Sequence, residues 1–300
     1  MPSLEALLAS DIELAGVVTN PDRPSGRGMA LAPPAVKKRA LKAGLEVYQP
    51  AGARGPELQS WLAGRDCDVA TVVAYGSILP QALLDVPRRG FVNLHFSLLP
   101  LYRGAAPVQR ALIDGRSTTG VSIMVLTEGM DEGPVLAARE ILIDPSDSAG
   151  SLGERLAISG AGLMVEVLEA YVRGLLEARA QDDSKASYAP KISGEEASVD
   201  WTRPGGAIRD LARGLDPVPG AWTMLQGTRL KIYRIEPAAG EAGLGPGELR
   251  VSDRLVCGTG DGPVELTEVQ VAGKRRMGGR ELARGLRLEA GTRFERALSP

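Results

Sequence analysis

The stretch Phe91-Val-Asn-Leu-His-Phe-Ser-Leu-Leu-Pro100 decides the fold class, because an apolar strand in it runs directly into a turn that carries polar side chains. Two earlier segments, Leu14 to Thr19 and Asp68 to Ala74, have the same strand character, and a helical pattern over Ala35 to Gly44 separates them. Strands that alternate with helices are typical of the α/β class. We therefore predict a doubly wound parallel sheet around this stretch.

Downstream segments complete this first domain. Gly120 to Leu126 and Val135 to Ile143 are predicted strands that lie side by side, and Leu4 to Leu8 forms a short helix. Between Leu152 and Glu177 apolar residues recur at helical spacing, which predicts one long helix that closes the domain. The expected architecture is Rossmann-like and spans residues 1–178.

A polar segment without periodicity, residues 179–197, marks the connection to a second domain. After it, short strands alternate with Gly, Pro and Asp turns, which predicts a small all-β, OB-like barrel over residues 198–300. The predicted strands are Trp222 to Leu225, Arg229 to Ile235, Leu249 to Val251, Leu255 to Gly258 and Val264 to Val271. A short helix is expected over Arg280 to Leu288.

The composition is that of an ordinary globular protein, since 44% of the 300 residues are apolar and 24% are charged. The chain has no run of about 18 apolar residues and no signal-peptide pattern at its start, so we expect a cytoplasmic protein without a membrane partner. Cys67 and Cys257 are far apart and there is one histidine. We therefore expect core thiols, no disulfide and no metal site.

The charge is unevenly distributed along the chain. The net charge of −2 argues against a protein covered in positive potential. From Lys274 to Arg296, however, the chain has eight basic residues and three acidic ones. Taken alone, such a run is more often a solvated face than a nucleic-acid site.

The single histidine, His95, lies at the end of a predicted strand, where α/β sheets place their ligands. Strand alternation sends Asn93, His95 and Ser97 to the same side. One interpretation is that Asn93 and His95 satisfy buried backbone groups. The other is that they form part of a reactive site.

A second polar group lies in the turn-rich loop Gly129-Met-Asp-Glu-Gly-Pro134, where glycines on either side of Asp131 let the backbone approach a ligand closely. An ordinary hairpin turn is the alternative. A carboxamide, an imidazole and a carboxylate on neighbouring strand ends suit acyl transfer to an amine. Asn93 can donate to an oxyanion, His95 can donate or shuttle a proton, and Asp131 can orient the histidine.

Three segments around these residues resemble the catalytic core of the folate-dependent formyltransferases: Asn93 to Gln109, Thr119 to Met124, and Gly129 to Pro134. Further segments along nearly the whole chain resemble the methionyl-tRNA formyltransferases in particular. They are Asn20 to Gly28, Val73 to Pro80, Tyr102 to Pro107, Tyr188 to Ser193 with Asp200-Trp201, Gly258 to Gly262, and Ala272 to Lys274.

The resemblance implies transfer of the formyl group of 10-formyltetrahydrofolate to the amino group of methionyl initiator tRNA. It implies that Asn93, His95 and Asp131 are catalytic. It also implies that two stretches contact the folate. The alternative interpretation of each stretch is a strand end that simply enters a turn. The implied folate contacts are Ser97, Leu98, Leu99, Pro100, Tyr75, Gly76, Ile78 and Leu79.

The same resemblance implies where tRNA binds. The loop Asp22 to Met29 would meet the acceptor end of the tRNA through Arg23 and Arg27, although its composition fits a plain surface loop nearly as well. The second domain would hold the tRNA, which makes the basic run a candidate phosphate track through Lys274, Arg275 and Arg276. We expect the protein to act as a monomer.

The start of the chain departs from the family pattern. Family members begin with a hydrophobic strand and a glycine-containing turn before the segment that matches Pro2 to Leu8, and this chain has neither. That strand would lie in the middle of the sheet, and its absence would leave backbone groups of its neighbours unpaired. We therefore expect the natural chain to begin further upstream.

Two other functions remain open at this point. One is a formyltransferase or formyl-folate hydrolase with a small-molecule acceptor, against which the second domain and the Asn20 to Gly28 loop argue. The other is a non-catalytic RNA-binding protein. The three candidate catalytic residues argue against that function, and the missing strand argues for it.

Overall fold

The computed structural model describes residues 1–25, 29–239, 243–289 and 291–295. They fall into two compact units. The first consists of Met1–Pro107, Thr118–Leu142 and Gly153–Ala189, and the second of Val108–Ser117, Ile143–Leu152 and Pro190–Pro300. No helix among the described residues has both the length and the apolar character that a membrane crossing requires.

The helices of the described residues are α1 (Pro2–Leu8), α2 (Ala35–Lys42), α3 (Pro56–Ala63), α4 (Gln81–Leu84), α5 (Pro107–Ile113), α6 (Ala149–Val172), α7 (Gly205–Gly214) and α8 (Gly279–Leu286). The strands of the first unit are β1 (Val17–Val18), β2 (Arg23–Ser25), β3 (Ala30–Ala32), β4 (Val47–Tyr48), β5 (Ala70–Val72), β6 (Phe91–His95), β7 (Thr118–Val125) and β8 (Val135–Leu142). The strands of the second unit are β9 (Ala221–Leu225), β10 (Thr228–Pro237), β11 (Leu249–Val251), β12 (Leu255–Gly258) and β13 (Pro263–Val271).

The main sheet of the first unit is mixed, with strand order β5-β6-β7-β8. β5 and β6 are parallel, whereas β7 is antiparallel to both β6 and β8. The prediction of an all-parallel sheet is therefore wrong. The short Gly129 to Pro134 connection leaves no room for a crossover, so the strands it joins must run in opposite directions. The prediction that these two strands are neighbours is confirmed.

A second, smaller pairing lies outside this sheet. β1 and β4 form a parallel pair that is not hydrogen bonded to β5 in the described part of the chain. Within the predicted Leu14 to Thr19 strand, Val17 and Val18 lie opposite Val47 and Tyr48, and the Thr19 N–H donates to the Tyr48 carbonyl at 3.1 Å. The additional strand expected next to them stays a prediction.

The two faces of β6 have different neighbours. Leu94 is buried and lies against Gly160 of α6, the long helix predicted from the periodicity of the sequence. Asn93 and His95 are on the opposite face, where they lie directly across from Met124 and Ser122 of β7. The strand thus presents its polar residues away from the helix.

The second unit is built on a five-stranded antiparallel sheet with order β11-β12-β13-β10-β9. It is not all-β as predicted, because α7 also packs on it, whereas α8 lies where a short helix was expected, over Arg280 to Leu288. Ile208, Leu211 and Ala212 bury one stripe of α7 in the same core as the strands. Leu282 and Ala283 of α8 join that core.

The edge strands β9 and β11 do not pair with each other in the described residues. A short segment near the end of the chain bonds to both regions instead. Its Glu295 N–H donates to the Met224 carbonyl, and the Leu249 N–H donates to the Thr292 carbonyl. Closure into an OB-like barrel stays a prediction.

Candidate active site

The imidazole of His95 is buried at the end of β6 and has a defined orientation. Its Nε2 lies 2.9 Å from the carbonyl oxygen of Tyr102. Because a carbonyl only accepts, Nε2 must carry the hydrogen, and the neutral ring then has a lone pair on Nδ1. One nitrogen therefore does satisfy a backbone group, as the simpler interpretation expected, and the other is left to face the site.

Nδ1 of His95 faces the carboxylate of Asp131, with 3.5 Å between Nδ1 and Oδ2. The same Oδ2 accepts a hydrogen bond of 2.8 Å from the backbone N–H of Gly104. Asp131 has a left-handed backbone conformation with φ of +54°. The structure thus brings two of the three predicted catalytic residues together, in a pair whose carboxylate is held by a third segment.

One of the glycines that flank Asp131 lets the loop lie close to the sheet, and the expected close approach to a ligand stays a prediction. A Cβ on Gly133 would lie 1.8 Å from the carbonyl oxygen of Val125 in β7. Only glycine allows the loop to pass this close to the strand. The close approach therefore fixes the loop on the sheet.

Asn93 is half-buried on the same face of β6 as His95. No described residue hydrogen bonds to its carboxamide, so both N–H groups lack a protein acceptor within that part of the chain. Its place two residues before His95 puts the carboxamide and the imidazole along one side of the strand. Its catalytic role stays a prediction.

The stretch from Ser97 to Pro100, predicted to contact folate, is fixed by hydrogen bonds to its backbone. The buried Ser97 hydroxyl donates to the Leu101 carbonyl at 2.6 Å. The buried Ser122 hydroxyl donates to the Ser97 carbonyl at 2.7 Å and accepts from the Leu99 N–H at 3.0 Å. Ser122 is thus a structural partner of the stretch that the sequence did not single out.

Leu98 in this stretch lies against Gly120 of β7. A Cβ on Gly120 would be 2.4 Å from Cδ2 of Leu98 and 2.3 Å from the carbonyl oxygen of Arg139. The missing side chain leaves the space that Leu98 fills. The position of Leu98 therefore depends on a glycine in the neighbouring strand.

The second predicted folate stretch, Tyr75 to Leu79, is divided between core and surface. Leu79 is buried and packs in a cluster with Leu83 and Phe91. Partial burial raises the pKa of the Tyr75 phenol. Ile78 and Gly76 are exposed, so these two residues of the stretch are accessible to a ligand.

The candidate tRNA loop begins at a fixed base. Lys37 Nζ donates to Asp22 at 2.9 Å and to Gln49 Oε1 at 2.6 Å, and Gln49 donates to the Asn20 carbonyl at 2.7 Å. Hydrogen bonds from Gln49 and Lys37 lower the pKa of Asp22. Arg23 is exposed at the start of β2. Arg27 lies outside the described residues.

The three candidate phosphate contacts of the second unit differ in their surroundings. Lys274 and Arg275 are exposed, and Arg275 forms one ion pair of 2.7 Å with Glu281. Arg276 is half-buried, pairs with Asp216 at 2.5 Å and lies 3.5 Å from the Tyr233 ring. These interactions tie Arg276 to the fold.

Sequence patterns did not indicate the groups that orient His95 and Asp131. The Tyr102 carbonyl and the Gly104 N–H are backbone atoms, so no residue type reveals them. Gln181 belongs to a polar segment without periodicity, and its side chain bonds to the Asp131 loop. A signal existed only for Tyr102 to Gly104, in the Tyr-Arg-Gly-Ala-Ala-Pro motif.

The two cysteines are free thiols, and Cys67, which was expected in the core, is only half-buried. Cys257 is fully buried in the second unit, and burial raises the pKa of both the Cys67 and the Cys257 thiols. In the described ranges, no three His, Cys, Asp or Glu side chains are grouped so that they could hold a metal ion.

Two family models match the chain. The formyl transferase model matches residues 3–168, and the model of the formyl transferase C-terminal domain matches residues 191–287. The first match includes Asn93, His95 and Asp131.

Curated relatives match the chain over almost its full length. The methionyl-tRNA formyltransferase of Thiobacillus denitrificans is 47% identical over 97% of this chain and 95% of its own. The methionyl-tRNA formyltransferase of Streptomyces coelicolor is 45% identical over 98% of this chain and 95% of its own.

Solved structures share the fold at low sequence identity. WlaRD, a sugar 3N-formyl transferase, has a TM-score of 0.67 at 16% identity and matches 91% of this chain and 94% of its own. HypX from Aquifex aeolicus, in complex with tetrahydrofolic acid, has a TM-score of 0.63 at 19% identity and matches 89% of this chain. The chain spans 46% of the length of HypX.

Proposed function

The chain belongs to the methionyl-tRNA formyltransferase family, and on this premise we propose that Asn93, His95 and Asp131 transfer a formyl group from 10-formyltetrahydrofolate to methionyl initiator tRNA. One observation carries the proposal. The Nδ1 of His95 faces Oδ2 of Asp131 at 3.5 Å, on the face of β6 that also holds Asn93. The product is N-formylmethionyl-tRNA, which serves translation initiation.

The reaction begins when the neutral amine of methionine attacks the formyl carbon. A new C–N bond forms while the carbonyl π electrons move to oxygen and give an oxyanion. The carboxamide N–H of Asn93 donates to this oxyanion, which places a dipole where negative charge develops. No protein nucleophile is needed, because the amine itself attacks.

His95 and Asp131 then act as a pair in proton transfer. The attacking nitrogen must lose a proton, and N10 of tetrahydrofolate must gain one when its bond to the formyl carbon breaks. The pair of Nδ1 and carboxylate takes the first proton and returns it to N10. The hydrogen bond from Nε2 to Tyr102 keeps Nδ1 directed at the site, and Nδ1–H of the protonated ring donates to the oxyanion alongside Asn93.

The folate lies against the stretch from Ser97 to Pro100 and against the exposed Gly76 and Ile78. The fixed backbone of the first stretch supports this role, because Ser122 holds it in one conformation before the ligand binds. Leu98 and Leu99 offer apolar contact area, and Tyr75 and Leu79 hold the second stretch on the core. The reaction needs no metal.

The second unit binds the tRNA in this proposal, as an OB-like barrel that the Thr292 to Glu295 segment closes. Lys274 and Arg275 meet phosphates of the acceptor stem, since they are exposed cations. Arg23 does the same from the first unit. The enzyme acts as a cytoplasmic monomer.

The test of the proposal compares acceptors with the full chain and 10-formyltetrahydrofolate. Methionyl initiator tRNA, glycinamide ribonucleotide and an amino sugar are each offered, and formylated product is measured. The proposal predicts product from methionyl-tRNA alone. Product from a small-molecule acceptor at a comparable rate contradicts the assigned acceptor, and tRNA binding with no product from any acceptor contradicts catalysis.

A further inference from the structure

Gln181 lies directly behind the loop that carries Asp131. Its side-chain amide nitrogen donates two hydrogen bonds, one to the Asp131 carbonyl at 2.9 Å and one to the Gly133 carbonyl at 2.7 Å. Both hydrogens of the amide are therefore used on the backbone of this one loop. A residue 50 positions away in sequence thus holds the loop on either side of Glu132.

The other end of the Gln181 amide is held by a buried cation. Arg103 is 3% exposed, and its Nε and Nη2 lie 3.1 and 2.8 Å from Gln181 Oε1. A second bond of Nη2, to Asp183 at 2.7 Å, fixes the guanidinium. Arginine only donates and carbonyls only accept, so the Gln181 amide has a single orientation that satisfies all its partners.

Asp131 needs restraints of this kind. Its φ of +54° is in the left-handed region, which a residue other than glycine keeps only when its surroundings hold it there. Gly104 N–H restrains the carboxylate, and Gln181 restrains the backbone. Both restraints depend on the same short segment, because Arg103 holds Gln181 and Gly104 is the next residue in the chain.

We propose that Gln181 is a positioning residue for formyl transfer, which keeps the Asp131 carboxylate at its distance from His95 Nδ1. The inference rests on the proposed function, in which Asp131 and His95 move a proton as a pair. Gln181 touches neither substrate in this proposal. It acts entirely through Asp131.

The first experiment replaces the amide with a side chain of similar size that forms no hydrogen bonds. Gln181→Leu should lower kcat on the order of 10-fold to 100-fold, because small displacements of a catalytic group have effects of that size. The KM values for the folate and for methionyl-tRNA should stay unchanged. Gln181→Glu, which keeps the shape and the bond to Arg103 but cannot donate to the two carbonyls, should lose kcat in the same way.

Gln59→Leu is the matched control. Gln59 is an exposed residue of α3 in the same unit, and its amide also donates to a backbone carbonyl, that of Ala82 at 3.1 Å. This variant should keep the wild-type kcat. The Tm of each variant shows whether it is folded at the assay temperature. If Gln181→Leu is not folded there, the kinetic comparison is made with Gln181→Glu.

A double-mutant cycle with Asp131→Asn distinguishes positioning from general structural damage. Asp131→Asn keeps the acceptor for Gly104 but loses the charge. If Gln181 acts through Asp131, the double variant should be no slower than Asp131→Asn alone. Losses that multiply in the double variant overturn the inference, as does wild-type kcat in both Gln181 variants.

The same cycle separates the inference from the proposed function. If Asp131→Asn itself keeps wild-type turnover, the aspartate has no catalytic role, so the proposed mechanism is wrong and the inference falls with it. If Asp131→Asn is slow and the Gln181 variants are not, the proposed mechanism stands and only the inference is wrong.

Discussion

Gly160 of α6 and Leu94 of β6 are packed so closely that a Cβ at position 160 would lie 2.6 Å from Cδ1 of Leu94. Leu94 is buried, and it stands between Asn93 and His95 in the chain, so it cannot move without disturbing the strand that carries these two residues. We expect Gly160→Ala to lower the free energy of unfolding by about 1–3 kcal/mol through overpacking.

Gly162 in the same helix provides the matched control, because a Cβ there would meet open space. Gly162→Ala should raise the free energy of unfolding by roughly 0.5–1 kcal/mol, since alanine favours the helix. Denaturant unfolding of the two variants measures both effects. Equal changes in the free energy of unfolding, in the same direction, would show that Leu94 can move aside at little cost.

Ser122→Ala should damage the site through the folate stretch. The hydroxyl of Ser122 is buried, and its removal leaves the Ser97 carbonyl and the Leu99 N–H without their partner. An unpaired buried group costs about 1–3 kcal/mol, so the stretch should become less ordered. Steady-state kinetics should give a higher KM for the folate and an unchanged KM for methionyl-tRNA. A higher KM for methionyl-tRNA with an unchanged KM for the folate would contradict this expectation.

The pH dependence of stability should report one ion pair of the second unit. Hydrogen bonds from Arg110, and then from the Ser193 N–H, lower the pKa of Glu196 from 4.5 to about 2. Because this pKa is lower in the folded protein than in the unfolded chain, the charged Glu196 carboxylate stabilises the folded protein. The stabilisation is complete above pH 4.5 and is lost as the pH falls through about 2. Glu196 is exposed, so the effect should not exceed about 1 kcal/mol.

Glu196→Gln tests this dependence, with the neighbouring exposed Glu195→Gln as control. The free energies of unfolding of wild type and Glu196→Gln should differ at pH 7, and the difference should narrow below pH 4.5. The control should match the wild type at both pH values. A difference that does not change with pH would mean that the charge of Glu196 contributes nothing.

The basic residues of the second unit should fall into two classes. Lys274→Ala and Arg275→Ala should weaken tRNA binding. In a plot of the log of the tRNA association constant against the log of the salt concentration, each variant should make the negative slope shallower by about one. Arg276→Ala should instead lower the free energy of unfolding by about 1–3 kcal/mol, because Asp216 and Glu268 lose a charged partner. Salt titrations and denaturant unfolding measure the two effects. A stability loss in Lys274→Ala without weaker binding contradicts this division.

The parts of the fold that the sequence predicted are those with a strong local period. The long helix α6 and the strand β6 were found within a few residues, because burial of one face or of both faces imposes a regular apolar pattern. Gly160 weakened the helical pattern, and the structure shows that Leu94 requires a glycine there.

Other elements carry no such local signal. The two glycines at the start of α7 obscured its helical stripe, although Ile208 and Leu211 pack in the core. Strand direction in the sheet depends on which strands meet, and that is a long-range property. The alternation of helices and strands therefore suggested a parallel sheet where β7 and β8 form an antiparallel hairpin.

Within the site, residue type and spacing could indicate Asn93, His95 and Asp131, since a carboxamide, an imidazole and a carboxylate suit acyl transfer to an amine. The atoms that orient them could not be found in this way. The Tyr102 carbonyl and the Gly104 N–H exist in any residue, and Gln181 acts across a separation of 50 positions in a segment without periodicity.

The single-turnover rate of formyl transfer tests the central claim most directly, measured for Asn93→Ala and His95→Ala with saturating 10-formyltetrahydrofolate and methionyl initiator tRNA. We predict a loss of about 10²–10³ in each variant, with binding of both substrates unchanged and the protein still folded at the assay temperature, because each removes a group that acts at the reacting carbon. A His95→Ala enzyme that transfers the formyl group at close to the wild-type rate would contradict the account.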